Sequence, residues 1–400
     1  MSELKMKRNK LTLLVFTLYL VGMGVEAQSY VDLYPIVEVN NYQLNILKQE
    51  VKASSLENRS TINLPDPQVN LSYMWRDENA PSDKRMLSVS QDFDLTTISG
   101  ARRRLAKSKE ASSEAYYRVE KQAILEKFSQ NCIKWRYLTK QIEQRNTTAT
   151  ILSQLAESNQ KRYASGELNI LEFNKFQFSI AEFNTQIRLL ELERENLYQQ
   201  LCYSNGGILI DTTLLQYDFT PMPVDFATWL DSILVYIPEM RYYQQNKEVS
   251  SREEKLAQLS WLPHLSAGYQ SEITDIEAMR GGTIGVSLPL WANKNKVQSQ
   301  RANSKIADLR YDEAQFRIKS ELSMLYEQIV AMEELLSEYQ NSIHSFSVLE
   351  HEAKAYRLGA LSALDYLEST MRYIALYDDV LELEYLIQMK KLSLMILGRE

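Results

Sequence analysis

Four segments of the chain alternate between apolar and polar residues, which is the pattern of β-strands with one apolar face. The first segment follows Pro67 and the third follows Pro263, and each leads through a polar loop into a second alternating segment. The pattern therefore predicts two β-hairpins, one in each half of the chain. The apolar positions are Val69, Leu71, Tyr73 and Trp75 in the first strand, Leu87, Val89, Phe93 and Leu95 in the second, and Ile284, Val286, Leu288 and Leu290 in the fourth, while the third strand covers 265–273.

This alternation fits strands embedded in a membrane, where apolar side chains face lipid and polar ones face inward. A half-buried sheet in a soluble protein would show the same alternation. Four strands are too few to close a barrel, since the smallest barrels have about eight strands, so a membrane sheet predicts an oligomer. Four aromatic residues would suit the interfaces between membrane and water: Tyr73, Trp75, Tyr269 and Trp291.

Helical patterns fill the chain between and beyond the hairpins. Shorter helices are predicted over 33–61 and 238–260, and very long helices over 100–164 and 295–357. At about 1.5 Å per residue, each long helix would measure about 90–100 Å. Scarce glycine (12) and proline (9) favour such uninterrupted helices. A heptad-like apolar seam in the first long helix comprises Tyr117, Ile124, Phe128, Trp135, Leu138 and Ile142, and nearby small residues are Ala106, Ala111, Ala115 and Ser129.

A turn motif occurs twice, at 163–173 and 356–366, about 195 residues apart. Both copies follow the pattern Tyr-x-x-Gly-x-Leu-x-(Ile/Ala)-Leu-acid-aromatic. Glycine after a polar helical turn favours a helix C-terminus, because glycine adopts the left-handed conformation easily. The polar residue three positions after each glycine then predicts the N-cap of a second helix, within a capping box. The corresponding pairs are Gly166 and Gly359, Asn169 and Ser362, and Glu172 and Asp365, with the box complete at Glu172 and approximate at Asp365.

The first 27 residues have the composition of an export signal. Lys5, Lys7, Arg8 and Lys10 precede an apolar stretch at 11–21, and a small residue, Ala27, ends the segment. A buried N-terminal helix is the alternative. After residue 27 no run of 18 apolar residues occurs, so no transmembrane helix is predicted. The formal net charge of −7 argues against nucleic-acid binding, which needs a basic surface.

The chain shows no constellation for catalysis or metal binding. The histidines, His264, His344 and His351, form no ligand cluster, and no phosphate loop or nucleophile motif occurs. Cys132 lies 34 residues before Gly166 and Cys202 lies 36 residues after it, so a helical hairpin places them at similar height. A disulfide and two buried free cysteines are both compatible with this spacing.

The order of these elements, their duplication and the Tyr-x-x-Gly-x-Leu turns resemble the TolC-like outer membrane efflux proteins. The stretches 89–93 before 100–104, and 286–291, resemble that family's second strand leading into its long helix. The resemblance covers about residues 30–398 and implies a mainly α protein with a small β part. It implies a trimer whose 12 strands form a β-barrel, continued by a 12-helix α-barrel tunnel. It divides the chain into a signal peptide (1–27), a first repeat (28–203) with a β-hairpin and a long helical hairpin, an inter-repeat connection (204–237) and a second repeat (238–400).

The resemblance also implies roles for particular residues. The hairpin tips would contact an adaptor protein through Gly166, Leu168, Gly359 and Leu361. Tyr356 and Glu172 match positions that hold the entrance of relatives closed, although Leu361 replaces an arginine that some relatives use. Asp365 and Glu368 would form an acidic ring at the entrance of a trimer. Helix capping and interaction of acids with the helix dipole are simpler explanations of the same residues.

The function implied is a passive exit duct in a tripartite efflux or secretion system, and not an enzyme. The chain would form a homotrimer in the outer membrane of a Gram-negative bacterium, in contact with outer-membrane lipid. Its partners would be a periplasmic adaptor (membrane fusion protein) and an inner-membrane transporter, with no cofactor and no nucleic acid. Drugs, metal cations and proteins all stay open as substrates. The alternative is a periplasmic coiled-coil adaptor or scaffold without a conducting pore, although adaptors normally carry a single helical hairpin.

Overall fold

The long helices predicted from the sequence are present in the structure. The computed structural model describes residues 29–76, 82–215, 222–291, 293–344 and 348–396, so the predicted signal peptide lies outside the described residues. The helices are α1 (Tyr34–Asn40), α2 (Tyr42–Ser60), α3 (Leu95–Ile98), α4 (Ala101–Ala164), α5 (Ile170–Ser204), α6 (Phe226–Ile233), α7 (Pro238–Leu259), α8 (Lys296–His344), α9 (Val348–Arg357) and α10 (Ala363–Ile396). Because α4 contains neither glycine nor proline, its 64 residues continue without a helix breaker.

The predicted hairpins are also present, and they join in one antiparallel sheet. The strands are β1 (Gln68–Met74), β2 (Lys84–Phe93), β3 (His264–Thr274) and β4 (Ala278–Ser287), in the order β1-β2-β3-β4. Pairing between β2 and β3 links the hairpin of the first half to that of the second. The fold is therefore mainly α with a small β part, as the sequence predicted.

Four of the predicted apolar strand positions lie outside the strands, and one of them, Trp75, comes directly after β1. Leu95 begins α3, because the Asp94 carboxylate accepts a hydrogen bond from the Thr96 amide at 2.8 Å and caps that helix. Leu288 and Leu290 lie beyond β4. Pro289 between them has no amide hydrogen to give to a ladder, and the Leu290 amide instead bonds to the Leu288 carbonyl at 2.9 Å.

The described chain forms two compact units. The described part of the turn unit lies within 29–41, 127–215, 222 and 329–392, apart from the gap at 345–347, and it contains the two repeated turns. The described part of the sheet unit lies within 42–126, 223–328 and 393–396, apart from gaps at 77–81 and 292, and it contains the four strands. The division of the chain into two sequence repeats stays a prediction.

Burial along α4 follows the predicted seam only in part. Phe128, Leu138 and Ile142 are buried, whereas Tyr117, Ile124 and Trp135 are half-buried. Between Phe128 and Ile142 the buried positions extend around the helix and include polar ones: Ser129, Asn131, Thr139 and Gln141. A single heptad seam therefore understates how much of α4 is packed within the turn unit.

Cys132 and Cys202 are both buried, and they are free thiols. The structure therefore does not form the disulfide that their spacing allows. Burial raises the pKa of the Cys132 thiol well above its ordinary value. None of the described helices is long and apolar enough to cross a membrane.

Candidate functional site

The sheet has one apolar face, and that face is exposed. The strand register brings together on it Val69, Leu71, Tyr73, Leu87, Val89, Phe93, Leu265, Ala267, Tyr269, Ile273, Ile284 and Val286. Leu71 is 82% exposed and Ile284 is 87% exposed. Along β2 the covered positions are mostly those of the opposite, polar face, including Ser88 and Ser90. A soluble sheet buries its apolar face, so this arrangement favours an apolar environment outside the protomer.

The polar face carries small and charged side chains. Ser72, Ser88 and Thr283 lie on it, and Lys84 forms a 2.6 Å ion pair with Glu272. Three glycines of the β3–β4 hairpin also belong to this face: Gly268, Gly281 and Gly285. Over that hairpin the polar face therefore combines glycines with polar side chains such as Ser266 and Thr283.

The length of the apolar face suits a membrane. From Leu265 to Ile273 the apolar face extends over nine residues of β3. A tilted transmembrane strand needs about 9–11 residues.

The predicted girdle aromatics lie at different heights on the sheet. Tyr73 and Trp75 are at the loop end of β1, in a T-shaped pair with ring centroids 5.9 Å apart. Trp291 follows β4 at the opposite end and is exposed. Tyr269 pairs with Val89 and Gly282 in the middle of the sheet. Tyr73 and Trp291 thus mark the two ends of the face, whereas Tyr269 lies between them.

The two repeated turns of the turn unit have the same backbone structure. Gly166 and Gly359 have φ of +80° and +75°, the left-handed conformation that glycine permits. The Gly166 amide bonds to the Tyr163 carbonyl at 3.1 Å, and the Glu167 amide bonds to the Arg162 carbonyl at 2.9 Å. Equivalent bonds of 3.0 and 2.9 Å close the second turn at Gly359 and Ala360. Both turns are Schellman motifs, the helix ending predicted from glycine.

The predicted N-caps are confirmed, but the capping box is only partly formed. Asn169 Oδ1 accepts a hydrogen bond from the Glu172 amide at 2.9 Å, and Ser362 Oγ accepts one from the Asp365 amide at 3.1 Å. Among the described residues, the exposed Glu172 carboxylate forms no hydrogen bond, so the prediction of a complete box there was wrong. The Ser362 hydroxyl instead donates to Asp365 Oδ2 at 2.7 Å.

An aromatic pair closes each turn across its two helices. Tyr163 stacks on Phe173 with centroids 4.6 Å apart, and Tyr356 stacks on Tyr366 at 5.5 Å. The four rings occupy equivalent positions of the repeated motif. The sequence pattern contains both aromatic positions, but the stacking itself was not predicted.

Several solved structures of outer membrane channels share this arrangement of elements. The structure matches CusC with a TM-score of 0.77 and 17% identity, covering 94% of this chain and 93% of that one. It matches the CmeC outer membrane channel of Campylobacter jejuni with a TM-score of 0.74 and 15% identity, covering 92% and 85% of the two chains. The chain has the TolC-like outer membrane channel fold.

The open state of the MtrE outer membrane channel of Neisseria gonorrhoeae shares this TolC-like fold with a TM-score of 0.71 and 12% identity, over 93% of this chain and 89% of that one. No protein-family model and no curated protein sequence matches the chain. The TolC-like fold predicted from the ordered, duplicated elements is confirmed at the level of structure.

Within the TolC-like fold, the two hairpins share one apolar core in the turn unit. Its buried residues are Leu152, Leu155, Phe176, Phe183, Ile187, Ala363, Tyr366, Leu367 and Ile374. Tyr356 and Leu361 pack against this core, and Leu168 is half-buried. The predicted tip residues therefore combine exposed glycines with leucines that anchor the turns.

The predicted acidic and gate residues are placed as follows. Asp365 and Glu368 are exposed on the first turns of α10. Tyr356 is held by its stacking on Tyr366, and no hydrogen bond joins it to Glu172. The gate and the acidic ring stay predictions, because both concern contacts within a trimer.

A polar network that sequence reasoning missed lies between α4, α5 and α10. Arg145 forms a 2.5 Å ion pair with Asp378 and donates to Gln186 Oε1 at 2.8 Å, while Gln141 donates to Asp378 at 3.3 Å. Both members of the ion pair are largely buried. Burial raises the pKa of Asp378, and the Arg145 charge opposes that rise.

Next to this network, Lys140 pairs with Glu384 at 3.2 Å. Tyr137 stacks on Tyr385 at 4.7 Å, and burial raises the pKa of Tyr137 to about 12. Residues of α4 and α10 that are far apart in sequence thus form a polar layer inside the turn unit. No local periodicity marks such a layer, so only the three-dimensional structure reveals it.

Proposed function

We propose that the chain is the protomer of a homotrimeric outer-membrane channel that acts as a passive exit duct. It works in a tripartite efflux or secretion system, in the outer membrane of a Gram-negative bacterium. A periplasmic adaptor and an inner-membrane transporter deliver the substrate, and this chain carries out no chemistry.

The exposed apolar face of the sheet is the observation that carries the proposal. A face with Leu71, Ile284 and Val69 open to the surroundings is stable against lipid and costly against water. The strands β1 and β4 lie at the edges of the sheet and leave backbone groups for further pairing. Three copies of the four strands would supply 12, enough for a closed wall, and closure satisfies both edges.

The fold supports the same conclusion. CmeC and MtrE are described as outer membrane channels, and CusC is described as forming a transmembrane channel. In the proposed trimer the hairpin turns form the periplasmic entrance. There, Asp365 and Glu368 of three protomers form a ring of carboxylates that favours cations over anions.

Membrane fractionation followed by recording in planar lipid bilayers tests the proposal. We expect trimers in the outer membrane that conduct ions and select for cations. Asp365→Asn combined with Glu368→Gln should reduce the cation selectivity while the trimer stays intact. The matched control, Glu182→Gln with Glu191→Gln, removes two exposed acids of α5 and should leave the selectivity unchanged.

Each outcome of this experiment bears on a separate part of the proposal. A soluble periplasmic monomer without conductance would overturn the channel and favour an adaptor or scaffold. If the trimers conduct but their cation selectivity is unchanged when Asp365 and Glu368 are replaced, the channel proposal is supported and the acidic ring is contradicted.

A further inference from the structure

Two arginines interrupt the apolar face of the sheet close to its loop end. Arg85 of β2 is paired with Ile273 of β3, and Arg280 of β4 is paired with Ser271 of β3. Because β3 separates the two strands, their backbones are about 10 Å apart across the sheet, with an offset of about 7 Å along it. Long side chains at that separation can reach one shared head group.

Among the described residues Arg280 has no acid beside it on its own face, whereas Arg85 is partly balanced by Asp83, whose pKa is lowered by the Tyr73 hydroxyl and, to a smaller degree, by the Arg85 charge. The Arg85 guanidinium lies 5.6 Å from the centroid of the Tyr73 ring. Arg280 is exposed and has no ion pair or hydrogen-bond acceptor among the described residues. By contrast Lys84, on the polar face, is neutralised by Glu272. The face therefore presents two arginines beside an aromatic ring and exposed leucines.

The described acids near the loop end have the following positions and partners. The Asp83 carboxylate accepts hydrogen bonds from the Tyr73 hydroxyl and, at 2.9 Å, from the Arg76 amide. Asp275 and Glu277 lie in the exposed loop between β3 and β4. Of the described acids, Asp275 and Glu277 border the arginines on the loop side, so an anion would reach the arginines from the apolar face.

The position of the arginines indicates what they contact. An arginine facing lipid costs about 2–4 kcal/mol at the middle of the membrane, and close to nothing at the interface. Both arginines are near the loop end, where their guanidinium groups can extend to the head-group level. A guanidinium binds phosphate through two parallel hydrogen bonds, and the apolar side chains next to it bind acyl chains.

We propose that Arg85 and Arg280, with Tyr73, bind the phosphate groups of a phosphorylated glycolipid of the outer leaflet. Its acyl chains lie over the neighbouring apolar positions, including Leu71 and Leu87. The inference rests on the proposed function, since it requires the apolar face to be in the outer membrane with the loop end outward. The inference goes beyond the proposed function because it identifies a negatively charged lipid that binds the apolar face of the sheet.

Native mass spectrometry of detergent-purified trimers, titrated with bis-phosphorylated lipid A, tests the inference. Each of Arg85→Gln and Arg280→Gln should weaken binding about tenfold, because each removes a charge-assisted contact to phosphate. Lys84→Gln, the control, removes a cation from the polar face at the same end of the sheet and should leave binding unchanged. Dephosphorylated lipid A should bind wild-type trimers as weakly as it binds the variants.

Arg85→Lys and Arg280→Lys serve where a glutamine variant assembles poorly. They keep the charge, lose the two-bond geometry and should bind lipid A with intermediate affinity. Equal binding of phosphorylated and dephosphorylated lipid A, or equal binding by all variants, would overturn the inference. Neither result would contradict the proposed channel function.

Loss of the trimer in Arg280→Gln alone would make Arg280 a contact between protomers, since β4 is an edge strand, and would likewise overturn the inference. Wild-type protein that forms no outer-membrane trimer would refute the proposed function itself. The two failures are thus distinguishable before any lipid is added.

Discussion

Asp378 shows how one carboxylate can link stability to pH. It is largely buried against Arg145, and its pKa is raised because the loss of hydration outweighs the attraction of the guanidinium. The folded protein therefore holds this proton more tightly than the unfolded chain. The stability contributed by protonated Asp378 is fully present below the ordinary pKa of aspartate and is lost as the pH rises through the raised pKa.

Asp378→Asn removes the titrating carboxyl, so comparing the variant with the wild type isolates the contribution of Asp378 to the pH dependence of stability. We expect the unfolding free energy of the wild type, minus that of the variant, to decrease as the pH rises from about 3 to about 7. Denaturant unfolding at a series of pH values measures it. An increase over that range would mean that Arg145 outweighs burial.

Tyr356 and Tyr163 occupy equivalent turn positions, but only Tyr356 packs against the shared core. Tyr356→Ala should therefore lower the unfolding free energy by about 3 kcal/mol, and Tyr163→Ala by about 1 kcal/mol. Phenylalanine variants keep the rings and should be nearly neutral in stability. If Tyr356→Phe changes channel conductance at unchanged stability, its hydroxyl has the predicted gate role, whereas equal effects of the two alanine variants would contradict the packing difference.

The turns could be predicted at the residue scale because their signals are local. Gly166 and Asn169 lie within four residues of each other, so both the helix ending and the following N-cap are specified by one short stretch of sequence. The Arg145–Asp378 pair joins positions 233 residues apart, so nothing near either residue indicates the other.

At the scale of elements, alternation predicted the strands and the face that each side chain would take. It did not predict where a strand ends, because the pattern continues past Asp94 and Pro289 while the backbone bonding does not. The exposed apolar face agrees with the membrane interpretation of the pattern, although alternation alone left the half-buried soluble sheet open. Alternation is the same in a half-buried soluble sheet, and burial is a property of the folded chain.

The neighbours Val69 and Asn70 on β1 test which face meets lipid. Val69→Lys should reduce the yield of outer-membrane trimers, because a lysine deep on the lipid side costs about 2–4 kcal/mol. Asn70→Lys, on the polar face, should assemble normally. Separation of trimers by semi-native gel electrophoresis of membrane fractions measures both, and a tolerated Val69→Lys would place that face in water.

For the whole molecule, exposed aromatic residues on the helices indicate surfaces that association would cover. Phe178 of α5 is 74% exposed, whereas Phe176, two residues earlier, is 1% exposed in the shared core. A phenylalanine this exposed contributes little to the protomer, yet it would contribute to a trimer that buries it.

Alanine substitutions at these two positions should separate folding from association. Phe176→Ala should destabilise the protomer by about 3–5 kcal/mol through the cavity it leaves. Phe178→Ala should change protomer stability by less than about 0.5 kcal/mol and should shift the monomer–trimer equilibrium towards monomer. Dilution of detergent-solubilised protein, followed by native mass spectrometry, measures the equilibrium. If Phe178→Ala leaves the monomer–trimer equilibrium unchanged, this position of α5 does not lie in the contact between protomers.

The glycines on the polar face of β3 and β4 have a consequence for the cargo of the proposed channel. Gly268, Gly281 and Gly285 carry no side chains, and their neighbours on that face include short polar ones such as Ser266 and Thr283. In the proposed channel this stretch would leave more room for a passing solute than strands with larger side chains. The charged side chains Lys84 and Glu272 at the loop end of this face pair with each other. This stretch therefore favours passage by size over selection by charge.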